Sequence, residues 1–306
     1  MVLKSNRLVV CAYHNVGYFC IDELLRQGAE IALIFTHEDS PGEEIWFRSV
    51  RELAGLHGIP YLTNDINEAE NVERVRAIAP DFILSFYYRN MIKSSILEIP
   101  RLGALNLHGS YLPKYRGRVP VNWVVINGES DTGATLHYMV GKPDAGEIVD
   151  QEKLEIAFTD TALDVFNKVT HAAVNVIARA WPLLREGKAA RFPMDLKAGN
   201  YCRGRKPEDG RIDWSRPAIH IYNLIRGVTH PYPGAFTFLD GKKVIIWQAW
   251  PRDGHGEPGH IMSQSPLLVA TGDGLLELSS LQAEGYAEQM SVSFVRDHIG
   301  AMNVFL

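Results

Sequence analysis

The chain is poor in cysteine: Cys11, Cys20 and Cys202 are the only three in 306 residues. They lack metal-site spacing and are too few for a disulfide framework, which fits a reducing compartment. Long apolar runs are missing as well. No stretch approaches the roughly 18 apolar residues of a membrane span. Met1 to Arg7 is not followed by the apolar core of a signal peptide. A cytoplasmic location without membrane insertion is expected. There is no basic excess: a net charge of -5 and a pI near 6.1 argue against a nucleic-acid partner held by phosphate neutralisation. No H-E-x-x-H and no paired C-x-x-C occurs, so no metal is expected. No internal repeat or low-complexity stretch is visible. The first apolar run lacks a following G-x-G-x-x-G. Its turn, Tyr13 to Gly17, holds one glycine, which leaves a dinucleotide pyrophosphate without a seat.

What is present is an ordinary globular balance, 46% hydrophobic and 22% charged, long enough for one large or two ordinary domains. Leu8 to Ala12, Glu30 to Phe35, Ile59 to Leu62, Phe82 to Phe86 and Leu102 to Leu107 read as strands. They are short apolar runs that suit strands covered on both faces. Helical patterns separate them: Tyr18 to Gln27, a helix opening at Ser40-Pro41-Gly42-Glu43 and running to about His57, and Glu68 to Ile78. Strands then follow at Asp131 to Val140 and Ile148 to Ile156, with a long helix from Thr161 to Glu186. This alternation predicts an α/β domain with a doubly wound, mostly parallel sheet over residues 1–190. A polar linker is expected over 191–207. Beyond it, residues 208–306 show a helix (Arg216 to Val228) and five short strands with hairpin turns at Asp240-Gly241 and Gly272-Asp273-Gly274. A small OB-like β-barrel is expected there.

Side chains two apart in a strand share a face, so Asn106 and His108 leave the strand together. In open α/β sheets ligands bind beyond the carboxyl ends of the strands, where this pair lies. An imidazole serves as a base or acid near neutral pH, and an amide can donate to a developing oxyanion. Asp144, in the loop after the next strand, is a candidate carboxylate to stabilise the imidazolium. A base, an orienting carboxylate and an oxyanion donor are the parts acyl transfer needs. No serine or cysteine sits in a nucleophile elbow, so direct attack by a bound acceptor is expected.

Asn106-Leu107-His108-Gly109-Ser110-Tyr111-Leu112-Pro113-Lys114-Tyr115-Arg116-Gly117 resembles the N-x-H…SLLP-x-x-x-G signature of the 10-formyltetrahydrofolate-dependent formyltransferases, and Asp144-Ala145-Gly146 resembles their D-x-G. Tyr111 departs from the usual leucine. Ser85-Phe86-Tyr87-Tyr88-Arg89, Lys114 to Pro120, Asn122-Trp123 and Asn127-Gly128-Glu129 extend the likeness to nearly the whole chain. It is nearest to the branch that formylates UDP-4-amino-4-deoxy-L-arabinose, in lipid A modification and polymyxin resistance. That branch implies a UDP-amino-sugar substrate and a fused or separate UDP-glucuronate decarboxylase as partner. The resemblance implies Asn106, His108 and Asp144 as the catalytic set. It places 10-formyltetrahydrofolate against Asn90, Met91, Ile92, Arg118 and the loop Val140, Gly141, Lys142, Pro143, Asp144.

Other positions stay open between two readings. Tyr13 and His14, after the first strand, and Tyr115 and Arg116 are candidates for the sugar nucleotide, or belong to a simple loop and a solvated face. Tyr87 and Tyr88 pack or line a pocket. Arg203, Arg205 and Lys206 meet a diphosphate or, more in keeping with charge runs, water. The competing functions are formylation of another nucleotide-linked amino sugar, methionyl-tRNA formylation, hydrolysis of formyltetrahydrofolate, and non-catalytic binding of a sugar nucleotide. The acidic balance leans against tRNA.

Overall fold

The computed structural model describes residues 6–40, 42, 44–300 and 304–306. The chain forms two compact units. One comprises Met1–Pro120, Thr132–Leu154 and Asn167–Arg203, the other Val121–Asp131, Glu155–Phe166 and Gly204–Leu306.

In chain order the elements up to the long helix are β1 (Arg7–Ala12), α1 (His14–Arg26), β2 (Glu30–Phe35), α2 (Val50–Leu56), β3 (Tyr61–Leu62), α3 (Ala69–Ile78), β4 (Phe82–Phe86), α4 (Ser94–Leu97), β5 (Gly103–His108), β6 (Arg116–Gly117), α5 (Pro120–Ile126), β7 (Asp131–Tyr138), β8 (Ile148–Glu155) and α6 (Ala162–Arg185). Seven strands form one sheet in the order β3-β2-β1-β4-β5-β7-β8. Pairing is parallel from β3 through β5 and antiparallel between β5 and β7. The sheet is therefore mostly parallel and doubly wound, as expected. Every residue of β4 is buried, which is why Phe82-Ile83-Leu84-Ser85-Phe86 reads as an unbroken run. Val9, Phe35, Ile66, Val75, Ile83 and Ile96 form part of one core cluster. Each such side chain contributes about 1.5–3 kcal/mol by leaving water.

Two local expectations are corrected. Helix α1 begins at His14 and absorbs all of the expected Tyr13–Gly17 loop but Tyr13, which stays extended before it. Gly17 permits this, because a Cβ there would sit 3.0 Å from the Ala12 Cβ and 3.3 Å from the Phe86 carbonyl. Helix α2 starts at Val50 and not near Ser40; of the expected start signal, Pro41 and Glu43 lie outside the described residues. Ser49 caps it instead, its hydroxyl accepting from the Glu52 N–H at 3.3 Å. Trp46 and Phe47 are drawn out of helical conformation and pack their rings against His14 at 4.4 and 3.9 Å.

The polar stretch expected as a linker contains regular structure. It carries β9 (Tyr201–Cys202), which pairs in parallel with β6. The second unit holds α7 (Ala218–Val228), β10 (Ala235–Leu239), β11 (Lys242–Arg252), β12 (Ile261–Gln264), β13 (Leu267–Ala270), β14 (Leu275–Ala283), β15 (Gln289–Met290) and α8 (Ser291–His298). Its sheet is antiparallel, in the order β10-β11-β14-β13-β12, with β15 on β14. Asp240 and Gly241 both have positive φ, 49° and 76°, the backbone that a tight hairpin between β10 and β11 requires. Trp214, Ile225, Ile246, Leu278 and Phe294 belong to the core of this unit.

Candidate active site

His108 is the last residue of β5, one position deeper in the sheet than the sequence suggests. Its ring is buried. Nε2 lies 2.8 Å from the Tyr115 carbonyl, which can only accept, so Nε2 carries a proton. Nδ1 lies 3.6 Å from Asp144 Oδ1, beyond hydrogen-bond length but within strong Coulomb range. Asp144 Oδ2 accepts the Gly117 N–H at 2.8 Å. Asn106 Nδ2 stands 3.5 Å from Asp144 Oδ1. Asn106, His108 and the Gly117 N–H thus converge on the Asp144 carboxylate.

A fourth group joins them. His137 on β7 pairs directly with Asn106 across the antiparallel ladder, so the two side chains share a face. Its Nδ1 donates to the Tyr138 carbonyl at 2.9 Å. Its Nε2 lies 3.3 Å from Asn106 Nδ2 and 3.4 Å from Asp144 Oδ1. The neutral ring accepts from the Asn106 amide, and the protonated ring donates to Asp144. Reading the sequence missed His137. The available signal was its place in the strand pattern, on the face opposite Leu136 and Tyr138, but only the pairing register sets it against Asn106. Burial works to raise the Asp144 pKa. The His108 charge, the His137 hydrogen bond and charge, and the Gly117 N–H outweigh it and hold the carboxyl well below the usual carboxylate range.

The loops around this carboxylate show why their residue types are needed. Asp144 has φ 47°, a left-handed conformation that aspartate tolerates better than most residues. At Gly146 a Cβ would collide with the Tyr138 carbonyl, the same oxygen that holds His137. Ser110 Oγ reaches the Lys114 carbonyl at 2.7 Å and the Tyr115 carbonyl at 3.2 Å. Thr135, opposite His108 in register, donates to the Ser110 carbonyl at 2.7 Å and accepts from the Leu112 N–H at 3.1 Å. This net fixes the Tyr115 carbonyl, and through it the His108 ring. At Gly109 a Cβ would collide with the Tyr87 hydroxyl, and Tyr87 itself has φ 56°. Tyr87 is half-buried and packs beside the end of β5.

The remaining candidates divide. Met91 is 57% exposed while its carbonyl accepts from Asn67 Nδ2 at 2.7 Å. Ile92 is part of the core, and Asn90 is half-buried. Arg118, Val140, Gly141 and Lys142 are exposed, and Pro143 is half-buried. Tyr115 is buried, with φ 56°. Arg116 is buried instead of solvated, Nη2 reaching the Leu196 carbonyl at 3.4 Å. Tyr13 is buried, its hydroxyl donating to Asp39 at 2.7 Å and its ring covered by the Arg89 guanidinium at 4.4 Å. His14 is stacked on Phe47, and burial and then the Arg89 charge push its pKa down to about 3, so it is neutral at pH 7. His37 joins this aromatic group, stacked on Tyr88 at 4.4 Å. Burial and Arg89 lower its pKa to about 4. Tyr13 and His14 thus lie at the exit of β1, in an aromatic group with His37 and Phe47. Among the described residues no group of three or more His, Cys, Asp or Glu could hold a metal ion, and no helix is long and apolar enough to cross a membrane.

An imidazole, an amide and a carboxylate are thus gathered at the strand ends of a doubly wound sheet, the parts that acyl transfer uses. The chain belongs to the formyl transferase family: the formyl transferase domain matches residues 20–181 and the formyl transferase C-terminal domain matches residues 205–298. Among solved structures it is similar to the N-formyltransferase from Helicobacter canadensis in complex with folinic acid and dTDP-3-aminofucose. That match has 18% identity and a TM-score of 0.71, over 90% of this chain and 98% of that one. It is also similar to a sugar N-formyltransferase from Shewanella sp, at 18% identity and a TM-score of 0.63, over 79% of this chain and 96% of that one. HypX from Aquifex aeolicus in complex with tetrahydrofolic acid matches at 17% identity and a TM-score of 0.66. There 97% of this chain spans 48% of the other, about half its length. At these identities the structural likeness speaks for the fold.

Proposed function

We propose that the chain transfers the formyl group of 10-formyltetrahydrofolate to the amine of a nucleotide-linked amino sugar, specifically the 4-amino group of UDP-4-amino-4-deoxy-L-arabinose. The observation that carries the reading is the single carboxylate of Asp144 shared by Asn106, His108 and His137. Two structural relatives bear on the acceptor, since one was crystallised with a folate and a dTDP-amino sugar and another is a sugar N-formyltransferase. The UDP-arabinose amine rests on the motif resemblance alone, and with it the place in lipid A modification.

The folate co-substrate fits the chemistry of the first unit. Exposed Met91 and Val140 offer apolar contact, with the backbone of 90–92 and 140–144 and the exposed Arg118 guanidinium as polar partners. A planar, hydrogen-bonding ligand with an anionic tail suits such a lining. The co-substrate supplies an activated formyl carbon. Asn106 donates to the formyl oxygen as it gains charge, turning toward it the amide proton that faces Asp144 at 3.5 Å while His137 keeps the other. The acceptor amine must be neutral to attack. The proton it sheds on forming the C–N bond goes to His108 at Nδ1, since Nε2 is already protonated toward Tyr115. Asp144, ionised throughout the working range, stabilises the resulting imidazolium. His108 then returns the proton as the bond to the folate nitrogen breaks. The buried setting of His108 strengthens each of these charge interactions relative to water.

The test is a coupled assay with 10-formyltetrahydrofolate and a panel of UDP- and dTDP-linked amino sugars. Transfer to the UDP-arabinose amine supports the specific reading. Transfer only to a dTDP sugar would replace the acceptor and keep the chemistry. Formate release without an acceptor would point to a hydrolase, and a gel shift with initiator tRNA to the tRNA enzyme.

A further inference from the structure

We propose that Tyr201 is the platform on which the sugar ring of the acceptor rests, a specificity residue of the same site. The inference depends on the amino-sugar reading above. It begins with a stretch whose sequence suggests only a spacer. Asn200-Tyr201-Cys202 is instead laid along Arg116-Gly117. The Arg116 N–H donates to the Asn200 carbonyl at 3.2 Å and the Arg118 N–H to the Cys202 carbonyl at 3.0 Å. Asn200 Oδ1 accepts the Tyr115 N–H. At Gly199 a Cβ would collide with the Pro113 carbonyl, so the approach of this segment to the motif loop needs glycine.

Successive residues of a strand face opposite ways, and here Cys202 is buried while Tyr201 is 58% exposed. A lone exposed aromatic is ordinary. What sets Tyr201 apart is the surface beneath it. A Cβ at Gly117 would stand 2.9 Å from Tyr201 Cζ and 3.1 Å from Cε1, so the ring lies against the Gly117 backbone. The N–H of that glycine is the one that donates to Asp144 Oδ2 at 2.8 Å. A rigid aromatic face is thereby fixed one peptide away from the carboxylate at the reaction centre. Asp144 Oδ1 faces Asn106, His108 and His137, and Oδ2 faces the peptide under Tyr201. Of the groups assigned to folate, 90–92 and 140–143 follow β4 and β7, while Arg118 continues β6 beyond Gly117, its backbone tied to the Cys202 carbonyl, so the folate KM is read beside that of the acceptor. An aromatic face beside an amine-accepting centre suits the C–H face of a pyranose whose amino group is turned toward His108.

The experiment is calorimetric titration of UDP-4-amino-4-deoxy-L-arabinose and a dTDP-linked amino sugar into the full chain saturated with tetrahydrofolate. It uses wild type, Tyr201→Phe and Tyr201→Leu, with KM and kcat measured alongside. Tyr201→Phe keeps the ring and should bind the sugar nucleotide within about twofold of wild type. Tyr201→Leu keeps bulk without the aromatic face and should weaken binding and raise the acceptor KM by about tenfold, the scale of an aromatic face contact with its buried area. The folate KM and the thermal midpoint should stay unchanged. Full acceptor affinity in Tyr201→Leu, or a rise in the folate KM alone, overturns the platform and leaves the amino-sugar reading standing. Binding of neither sugar nucleotide to wild type overturns both.

Discussion

Replacing His137 should damage the reaction without touching either substrate directly. Its Nε2 lies 3.3 Å from Asn106 Nδ2 and 3.4 Å from Asp144 Oδ1, so His137→Ala removes a partner from both. A hydrogen bond to a charged group is worth about 1.5–3 kcal/mol. A lost oxyanion donor costs about 2.7–4 kcal/mol. If His137 acts by holding the Asn106 amide in place, its removal forfeits part of that donor's effect, and kcat should fall about ten- to hundredfold. The substrate KM values should barely move. The assay is a double-mutant cycle with Asn106→Ala. Alone, Asn106→Ala should cost about a hundred- to thousandfold in kcat. The double variant should lose scarcely more, giving a coupling of about 1.5 kcal/mol or above. Thermal melts control for the void left by a buried ring. Multiplicative losses in the double variant, or a His137→Ala enzyme within threefold of wild type, would refute the reasoning.

Two further outcomes test the scaffold. The folded-state pKa of Asp144 is depressed below its unfolded reference of about 3.9, so its stabilisation is present above that value and is lost as pH falls through the folded one. Asp144→Asn should therefore unfold about 1–3 kcal/mol more easily than wild type at pH 7, and urea midpoints should show the gap narrowing below pH 4; a gap that widens in acid contradicts the sign. Gly109→Ala drives a methyl into the Tyr87 hydroxyl, and overpacking of this kind costs about 1–3 kcal/mol. Adding Tyr87→Phe, which removes that oxygen, should recover part of the loss in the urea midpoint, and an unaltered midpoint in Gly109→Ala would show that the ring is free to move away.

Local signals carried much of the fold. The apolar runs of β1, β2, β4 and β5 are legible because strands covered on both faces need no alternation. Asp240-Gly241 announced its hairpin through backbone chemistry alone. The errors arose where distant residues decide. The expected helix is longer than α2 because Trp46 and Phe47 are good enough helix residues locally, yet pack their rings on His14 and Tyr13. Gly17 looked like a loop marker and is in fact a packing requirement at the Ala12 strand end. Asn106, His108 and Asp144 could be gathered from spacing and resemblance. His137 could not, because only the antiparallel register of β5 and β7 sets it against Asn106, and the pairing of Tyr201 with Arg116 falls in a stretch that composition marks as a spacer.

The most direct test of the central claim is a single-turnover reaction of the full chain with 10-formyltetrahydrofolate and UDP-4-amino-4-deoxy-L-arabinose, in wild type, Asn106→Ala and His108→Ala, with products identified by mass spectrometry. The account predicts N-formylated sugar nucleotide from wild type, none within the same time from either variant, and tetrahydrofolate affinity kept in all three. Formylated product at a near wild-type rate from either variant would contradict it.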